Sequence, residues 1–321
     1  MKHLRLAFSD GTFDGFLSHF DLLLRQRFDL EVVQDLSKAH VLMYSDRGTT
    51  HQRFNGRKIY YTIENMMPDY NECDFAITSG FRPDDTRHYR LPYYALASNP
   101  QKLTKEPTFS PEATLSAKTG FCSFVATNPR SPERNQFFKI LNKLKRVDSG
   151  GRHFNNIGHK VSDKLAFVSQ YKFAIAFENT ASPGYTTEKI TDAMTARTIP
   201  IYWGNPEIVA EFNTRSFINA ADFPTLEALA NHVIKVDRDD DLYLRYLREP
   251  WFINNQAPEA YRMDLLSDAL VRFIESNESP RVRNYQKRRL RQHLYQSPWE
   301  QTIVSFRCRL ESRLWAIGIR W

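Results

Sequence analysis

Between Tyr171 and Pro206 the chain reads YKFAIAFENTASPGYTTEKITDAMTARTIPIYWGNP. A strand-like apolar run ends in Phe177-Glu178-Asn179, a turn carries Pro183-Gly184, and Thr186 or Thr187 then caps a helix. The first turn of that helix holds Glu188 and Lys189. A helix that starts just after a strand presents free N–H groups and the positive end of its dipole, which suits a phosphate. Lys189 adds a mobile cation there, and Glu188 stands where a sugar or ribose hydroxyl would be held. The same residues also describe an ordinary capping turn with both side chains solvated. Spacing alone leaves both readings open.

The elements that must position these residues are those of an α/β protein. Strand-like runs recur at Leu4–Phe8, Leu30–Val33, Val41–Tyr44, Lys58–Thr62 and Phe75–Thr78, with a helical segment Phe16–Arg25 between the first two. Residues 98–120 hold Pro100, Pro107, Pro111 and Gly120 and read as an interdomain linker. The alternation then resumes: a strand over Phe121–Thr127, a helix opened by Pro132, strands at Phe173–Phe177 and Ile199–Trp203, and a helix over Ala220–Lys235. The Gly150-Gly151-Arg152-His153 loop, with Gly158 beyond it, reads equally as a nucleotide-facing loop and as a plain turn. The expectation is two Rossmann-like domains, 1–115 and 116–280, facing across a cleft that holds the site, followed by a tail at 281–321.

Composition narrows the function classes. The tail carries ten Lys or Arg against Glu300 and Glu311, while the other 280 residues hold 34 basic and 35 acidic side chains. A near-neutral body with a basic tail is not the pattern of a nucleic-acid binder. Three dispersed cysteines, Cys73, Cys122 and Cys308, argue against a disulfide framework or a zinc site and fit a reducing cytoplasm. The first residues do not read as a signal peptide, and no apolar run approaches the roughly 18 residues of a membrane span. Asp237-Arg238-Asp239-Asp240-Asp241 has the spacing of a metal-binding DxD, but its place between two helical patterns reads as a turn and helix cap, so no metal site is expected.

Tyr171-Lys172-Phe173, Phe177-Glu178-Asn179, Tyr185, Thr187-Glu188-Lys189-Ile190 and Ile199-Pro200-Ile201-Tyr202-Trp203-Gly204 together resemble glycosyltransferase family 10, the α-1,3/1,4-fucosyltransferases, in order and spacing. The resemblance covers about half the chain, extending more weakly from about Tyr44 to about Phe223. It implies a GT-B fold, GDP-β-L-fucose as donor, and transfer with inversion to a hydroxyl of an oligosaccharide or glycolipid acceptor, with the GlcNAc of N-acetyllactosamine-type units and an α-1,3 linkage favoured. No cofactor is implied, although a divalent ion would be able to stimulate turnover. The donor would be held by Arg134, Asn179, Tyr185, Glu188 and Lys189. Arg134 is carried over from Ser131-Pro132-Glu133-Arg134-Asn135, and an arginine fork suits paired phosphate oxygens. Glu64, in Tyr61-Thr62-Ile63-Glu64-Asn65, would be the base; the chain departs from the family pattern by placing Ile63 where glycine is usual.

The resemblance also sets the chemistry that is needed. The attacking hydroxyl must lose its proton to a positioned carboxylate, and the departing GDP must have its growing charge met by fixed cations and N–H groups. Two other readings stand beside this one: the same fold with another GDP-sugar or a lipopolysaccharide acceptor, and a non-enzymatic nucleic-acid- or membrane-binding protein. In the tail, Trp299, Ile303, Phe306, Leu310, Leu314, Ile317 and Trp321 follow helical spacing, and Arg281–Arg291 has six basic residues in eleven. A basic amphipathic segment of this kind suits peripheral contact with an anionic membrane, here the inner face of the cytoplasmic membrane, or packing back onto the body.

Overall fold

The computed structural model describes residues 1–11, 14–276 and 278–280. The chain divides into two compact units. One comprises Met1–Thr78, Arg82–Tyr89 and, of the described residues that follow the other unit, 263–276 and 278–280; the other comprises Ser79–Phe81 and Arg90–Arg262. The basic tail expected over 281–321 lies outside the described residues.

The first unit is built on β1 (Lys2–Ser9), α1 (Asp14–Arg25), β2 (Phe28–Val32), β3 (Val41–Tyr44), β4 (Arg57–Tyr61), β5 (Phe75–Thr78) and β6 (His88–Arg90). The sheet order is β2-β1-β3-β4-β5-β6, and the pairs from β2 through β5 are parallel. All four residues of β3 and of β5 are buried, as expected for strands covered on both faces. The helix Met263–Glu275 packs against α1. Its Phe273 ring stacks on Phe75 at 5.2 Å, and the Arg57 guanidinium sits over the same ring at 4.0 Å. Arg57 also donates to the Ile274 and Ser276 carbonyls at 3.3 and 2.8 Å, holding the end of that helix.

The second unit contains α2 (Tyr93–Ala97), α3 (Pro100–Leu103), α4 (Pro111–Ser116), β7 (Gly120–Phe124), α5 (Pro132–Leu144), β8 (Val147–Ser149), α6 (Lys164–Ser169), β9 (Tyr171–Phe177), α7 (Glu188–Thr195), β10 (Ile199–Trp203), β11 (Ile218–Asn219), α8 (Leu226–Arg238) and α9 (Asp240–Arg248). Its all-parallel sheet runs β11-β10-β9-β7-β8, with β9 in the middle and six of its seven residues buried. Chain order reverses between β7 and β9. In an open parallel sheet that switch point, at the carboxyl ends of the strands, is where ligands bind.

Three expectations change. The division at 115 and 280 does not match the compact units. The 263–275 helix belongs with the first unit because Phe273 and Arg57 dock it there, and the second unit begins near Arg90. Residues 98–120 are not a free linker. Pro100 and Pro111 open α3 and α4, capped by Asn99 (to Gln101 N, 2.9 Å) and Ser110 (to Ala113 N, 3.1 Å), and the two helices pack on α7 and α9. Lys118 then donates to the Ser169 carbonyl at 2.8 Å and to Thr198 Oγ1 at 3.0 Å, so this segment is fastened to the sheet. The helix expected from Ala220 starts at Leu226, because Thr225 caps it at Ala228 N (3.1 Å) and a short 3₁₀ turn precedes it. The DxD-like run is a turn and helix cap: Asp239 Oδ1 accepts from Leu242 N at 2.9 Å, and Asp237 and Asp240 pair with Lys145 and Lys172.

Candidate active site

Glu178 is the first residue beyond β9 and is fully buried. Its Oε1 accepts from Thr187 N at 2.7 Å, and its Oε2 accepts from Thr187 Oγ1 at 2.7 Å and from Lys189 Nζ at 3.0 Å. Its backbone N–H donates to Trp203 O at 2.8 Å, and its backbone oxygen accepts from Ser131 Oγ at 3.2 Å. A buried carboxylate needs partners of this number and kind to stay charged. Gly204 makes the arrangement possible, since a Cβ there would meet Glu178 Cγ at 2.5 Å.

Thr187 and Ser131 occupy the N-cap positions of α7 and α5, yet neither side chain caps its helix. The expected Thr187 cap is positional only, because both hydroxyls turn toward Glu178 instead. Two helix N-termini at the switch point are thereby left without a side-chain cap. Uncapped first-turn N–H groups are the donors that an anion takes up.

The expected donor residues gather here. Lys189 Nζ also donates to Thr187 Oγ1 at 2.8 Å and lies 3.8 Å from Glu188 Oε1. Burial alone would lower its ammonium pKa, but Glu178 and Glu188 outweigh that and raise it, so Lys189 is a cation at any physiological pH. Burial pushes the Glu188 carboxyl up while Lys189 and Lys164 pull it further down, leaving it ionised. Arg134, in the first turn of α5, is 2% exposed. Its NH1 donates to Asn179 Oδ1 at 2.8 Å and reaches Phe177 O at 3.5 Å, while NH2 donates to Asn128 O at 2.6 Å. Arg134 thus spans the switch point from the β7 side to the end of β9. Its Nε is buried without a partner among the described residues. In this arrangement Arg134 brings charge rather than an open fork to the site. Tyr185 is 2% exposed, in the turn before α7.

That turn is held by residues sequence reasoning missed. Gly184 has φ +84°, and a Cβ there would meet Ser79 O and Phe81 N at 2.5 Å each. Asn205 Oδ1 accepts from Gly184 N at 2.8 Å, and Asn205 Nδ2 donates to Thr186 Oγ1 at 3.1 Å. Arg90 donates to the Gly184 carbonyl at 2.9 Å and grips Glu211 with both terminal nitrogens, at 2.6 and 2.9 Å. Tyr94 OH adds a 2.6 Å bond to Glu211. Asn205 directly follows the Ile199–Gly204 motif, the one signal that could have found it; Arg90 and Glu211, 121 residues apart, carried no sequence signal.

The Gly-rich loop braces α5. His153 Nε2 lies 2.9 Å from Asn135 Oδ1, Phe154 stacks on Phe138 at 4.9 Å, and a Cβ on Gly151 would meet Ala126 O at 2.1 Å. Among the described residues, no group of three or more His, Cys, Asp or Glu is arranged to hold a metal ion, and no helix is long and apolar enough to cross a membrane.

In the first unit, Glu64 sits in the bend after β4. Thr62 Oγ1 accepts from Glu64 N at 3.1 Å, Glu64 O accepts from Met66 N at 2.8 Å, and the side chain is exposed. At the switch point of that sheet, Asp10 accepts from Thr50 N (2.9 Å), His51 N (2.7 Å) and His51 Nδ1 (2.7 Å). His51 stacks on Tyr44 at 4.0 Å, and its Nε2 lies 3.3 Å from Glu72. Sequence reasoning did not anticipate this buried network, which ties the loops after β1 and β3 to the chain beyond Glu64.

These features place the molecule in a class. Residues 115–279 match the C-terminal region of glycosyltransferase family 10 (fucosyltransferase), and residues 6–97 match the N-terminal domain of the alpha-(1,3)-fucosyltransferase FucT. The chain belongs to glycosyltransferase family 10, with a fold of the GT-B type. It is 32% identical over 261 residues to the alpha-(1,3)-fucosyltransferase FucT of Helicobacter pylori, a match covering 71% of this chain and 55% of that protein. It is 36% identical over 152 residues to a putative fucosyltransferase of Acanthamoeba polyphaga mimivirus, covering 44% of this chain and 25% of the relative. The chain therefore spans about half the length of the Helicobacter pylori relative or less of the others. A crystal structure of an alpha1,3-fucosyltransferase superposes with a TM-score of 0.75 at 28% identity, covering 86% of this chain and 91% of the other. The same kind of enzyme with GDP-fucose gives 0.71 at 28% identity, covering 86% and 92%.

Proposed function

We propose that this chain transfers L-fucose from GDP-β-L-fucose to a hydroxyl of an acceptor glycan, with inversion and with an α-1,3 linkage to N-acetyllactosamine-type units favoured. The observation that carries the reading is the Glu178 node, which turns the Ser131 and Thr187 hydroxyls away from their helices and leaves two N-termini, Lys189 and the Arg134–Asn179 pair gathered at one switch point. That surface suits a diphosphate: N–H donors and fixed cations already oriented before the leaving group gains charge. Glu188, ionised beside Lys189, suits a hydroxyl of the donor, and Asn179 Nδ2 has no hydrogen-bond partner among the described residues. Tyr185, buried in the same turn, is near enough to act on the Arg134 charge.

Glu64 is the proposed base. Its carboxylate makes no hydrogen bond or ion pair among the described residues, so it is available to take the acceptor proton as the hydroxyl attacks the anomeric carbon. The bond from that carbon to the diphosphate oxygen breaks, and GDP leaves with the electron pair. The chemistry passes through a charge distribution like that of glycoside hydrolysis. The sequence pattern of the basic tail supports peripheral contact with an anionic membrane on the cytoplasmic side, which suits a glycolipid acceptor. The deciding experiment incubates the full chain with GDP-fucose and with lactose, N-acetyllactosamine and their type 1 isomers, and reads the product linkage by NMR. An α-1,3-fucosylated product is expected. Hydrolysis or transfer with another GDP-sugar only would overturn the donor assignment.

A further inference from the structure

A hollow of about 510 Å³ lies at the β11 edge of the second unit, bounded by β11, α8 and α9. Its volume falls within the usual range of small-molecule sites. None of Arg134, Asn179, Tyr185, Glu188 and Lys189 lines it. The most buried lining residues are Phe217, Ile218 and Asn219, at 1%, 1% and 8% exposure. Asn219 Oδ1 accepts from Ala221 N at 3.3 Å, while its Nδ2 has no hydrogen-bond partner among the described residues. A buried amide with unused donors on a cavity wall is an open site for an acceptor oxygen.

Three further lining residues carry rings, beside Thr214 and Leu242. Phe223 and His232 stand 5.0 Å apart at 46°, and His232 and Tyr246 meet at 79°, with Tyr246 OH 3.0 Å from His232 Nε2. Burial, with Lys235 adding to it, lowers the His232 pKa and keeps the imidazole neutral. At the rim, Arg215 pairs with Glu249 at 3.1 Å and Arg248 with Glu112 at 2.7 Å. That leaves Arg245 and Asp222, one cation and one anion, without an ion pair among the described residues. A nucleotide would call for a parallel ring slot and a surplus of positive charge. This hollow has rings set at angles and a balanced rim. A sugar ring fits that chemistry: its C–H face would lie on an aromatic wall, and its hydroxyls would meet Asn219 Nδ2, the His232–Tyr246 pair and Arg245.

We propose that this hollow is a secondary glycan-binding site that takes a neutral oligosaccharide segment. Its use in recruiting acceptor rests on the transferase reading; saccharide binding itself does not. Two linked contacts on one glycan raise the effective concentration of the reacting end, so the site matters most for long acceptors.

The test uses the full chain, saturated with GDP, and a tetrasaccharide of two N-acetyllactosamine units. Saturation-transfer NMR is recorded on the wild type, Glu64→Gln, Tyr246→Ala and the exposed-site variant Arg245→Ala, with GDP affinity measured on each as the check of folding. The saturation-transfer signal is expected to fall several-fold in Tyr246→Ala and Arg245→Ala, to persist in Glu64→Gln, and to leave GDP affinity unchanged throughout. If Tyr246→Ala alters GDP affinity, Arg245→Ala decides. Equal signals in the wild type and both hollow variants, or no wild-type signal at millimolar tetrasaccharide, overturn the proposal. A chain that shows the variant-sensitive signal but transfers no fucose supports the hollow and sinks the transferase reading.

Discussion

Lys189 Nζ lies 3.0 Å from Glu178 Oε2, so the cation proposed to face the donor is held by a carboxylate with no solvent exposure. The pair fixes where the ammonium sits and keeps it protonated. An unpaired lysine at this depth would lose charge to desolvation. Replacing Glu178 with Gln sets the amide NH2 against the Thr187 backbone N–H in one orientation and against the Lys189 ammonium in the other, donor facing donor either way. We expect Glu178→Gln to destabilise the second unit by about 3 kcal/mol, the scale for breaking a buried pair. Urea unfolding of the full chain with and without GDP measures it, and an unchanged midpoint would show that the pair carries no such weight.

Removing the cations tests the diphosphate surface. Lys189→Ala is expected to weaken GDP binding about 10- to 100-fold, the range for a hydrogen bond to a charged group, and Arg134→Ala, which removes a fixed charge, to weaken it in the same direction. Calorimetry with unchanged affinity in both variants would mean the phosphates bind elsewhere.

Glu64→Gln is expected to lower kcat by about 10²–10⁴-fold, as for loss of a general base, with near-normal GDP affinity. Wild-type turnover in this variant would remove Glu64 from the reaction.

Lys105 gives a pH-dependent prediction. Its ammonium donates to the Leu247 and Glu249 carbonyls and lies 3.9 Å above the Trp251 ring. Burial, with Arg197 adding to it, pushes its pKa down to about 7 from an ordinary 10.5. Between those values the unfolded chain binds more protons than the native one, so this lysine makes stability rise with pH across that window. The stability of the wild type relative to Lys105→Met should therefore increase between about pH 7 and 10. A flat difference in thermal or urea midpoints would show that the amine is not depressed.

The tail is tested by deletion. If residues 281–321 reach an anionic surface, the full chain sediments with anionic vesicles, salt weakens this, and the chain without them stays in the supernatant. A full chain that ignores the vesicles favours packing onto the body.

The stretch from Tyr171 to Gly204 was legible because β9 and β10 are buried, nearly unbroken apolar runs, and Pro183-Gly184 marks the turn between β9 and α7. The site it builds was legible as a helix start beside a strand end. The reversal of the cap was not, since nothing in Thr187 or Ser131 says that a carboxylate will outcompete the helix for its hydroxyl. The helices at Pro100 and Pro111 were hidden because proline both breaks structure and opens helices. The return of the 263–275 helix to the first unit depends on Phe273 meeting Phe75, nearly two hundred residues earlier, and no local pattern encodes that.

The Glu178 node also bears on the order in which the second unit assembles. Its partners come from the start of α5, the end of β10 and the start of α7, so no short fragment can satisfy it. Until all three have docked on β9, the carboxylate stays hydrated and the two helix starts keep their ordinary caps. The surface proposed to hold the diphosphate therefore has no half-formed version. It should appear in a single late cooperative step, and the amide of Thr187 should resist hydrogen exchange as strongly as the middle of β9.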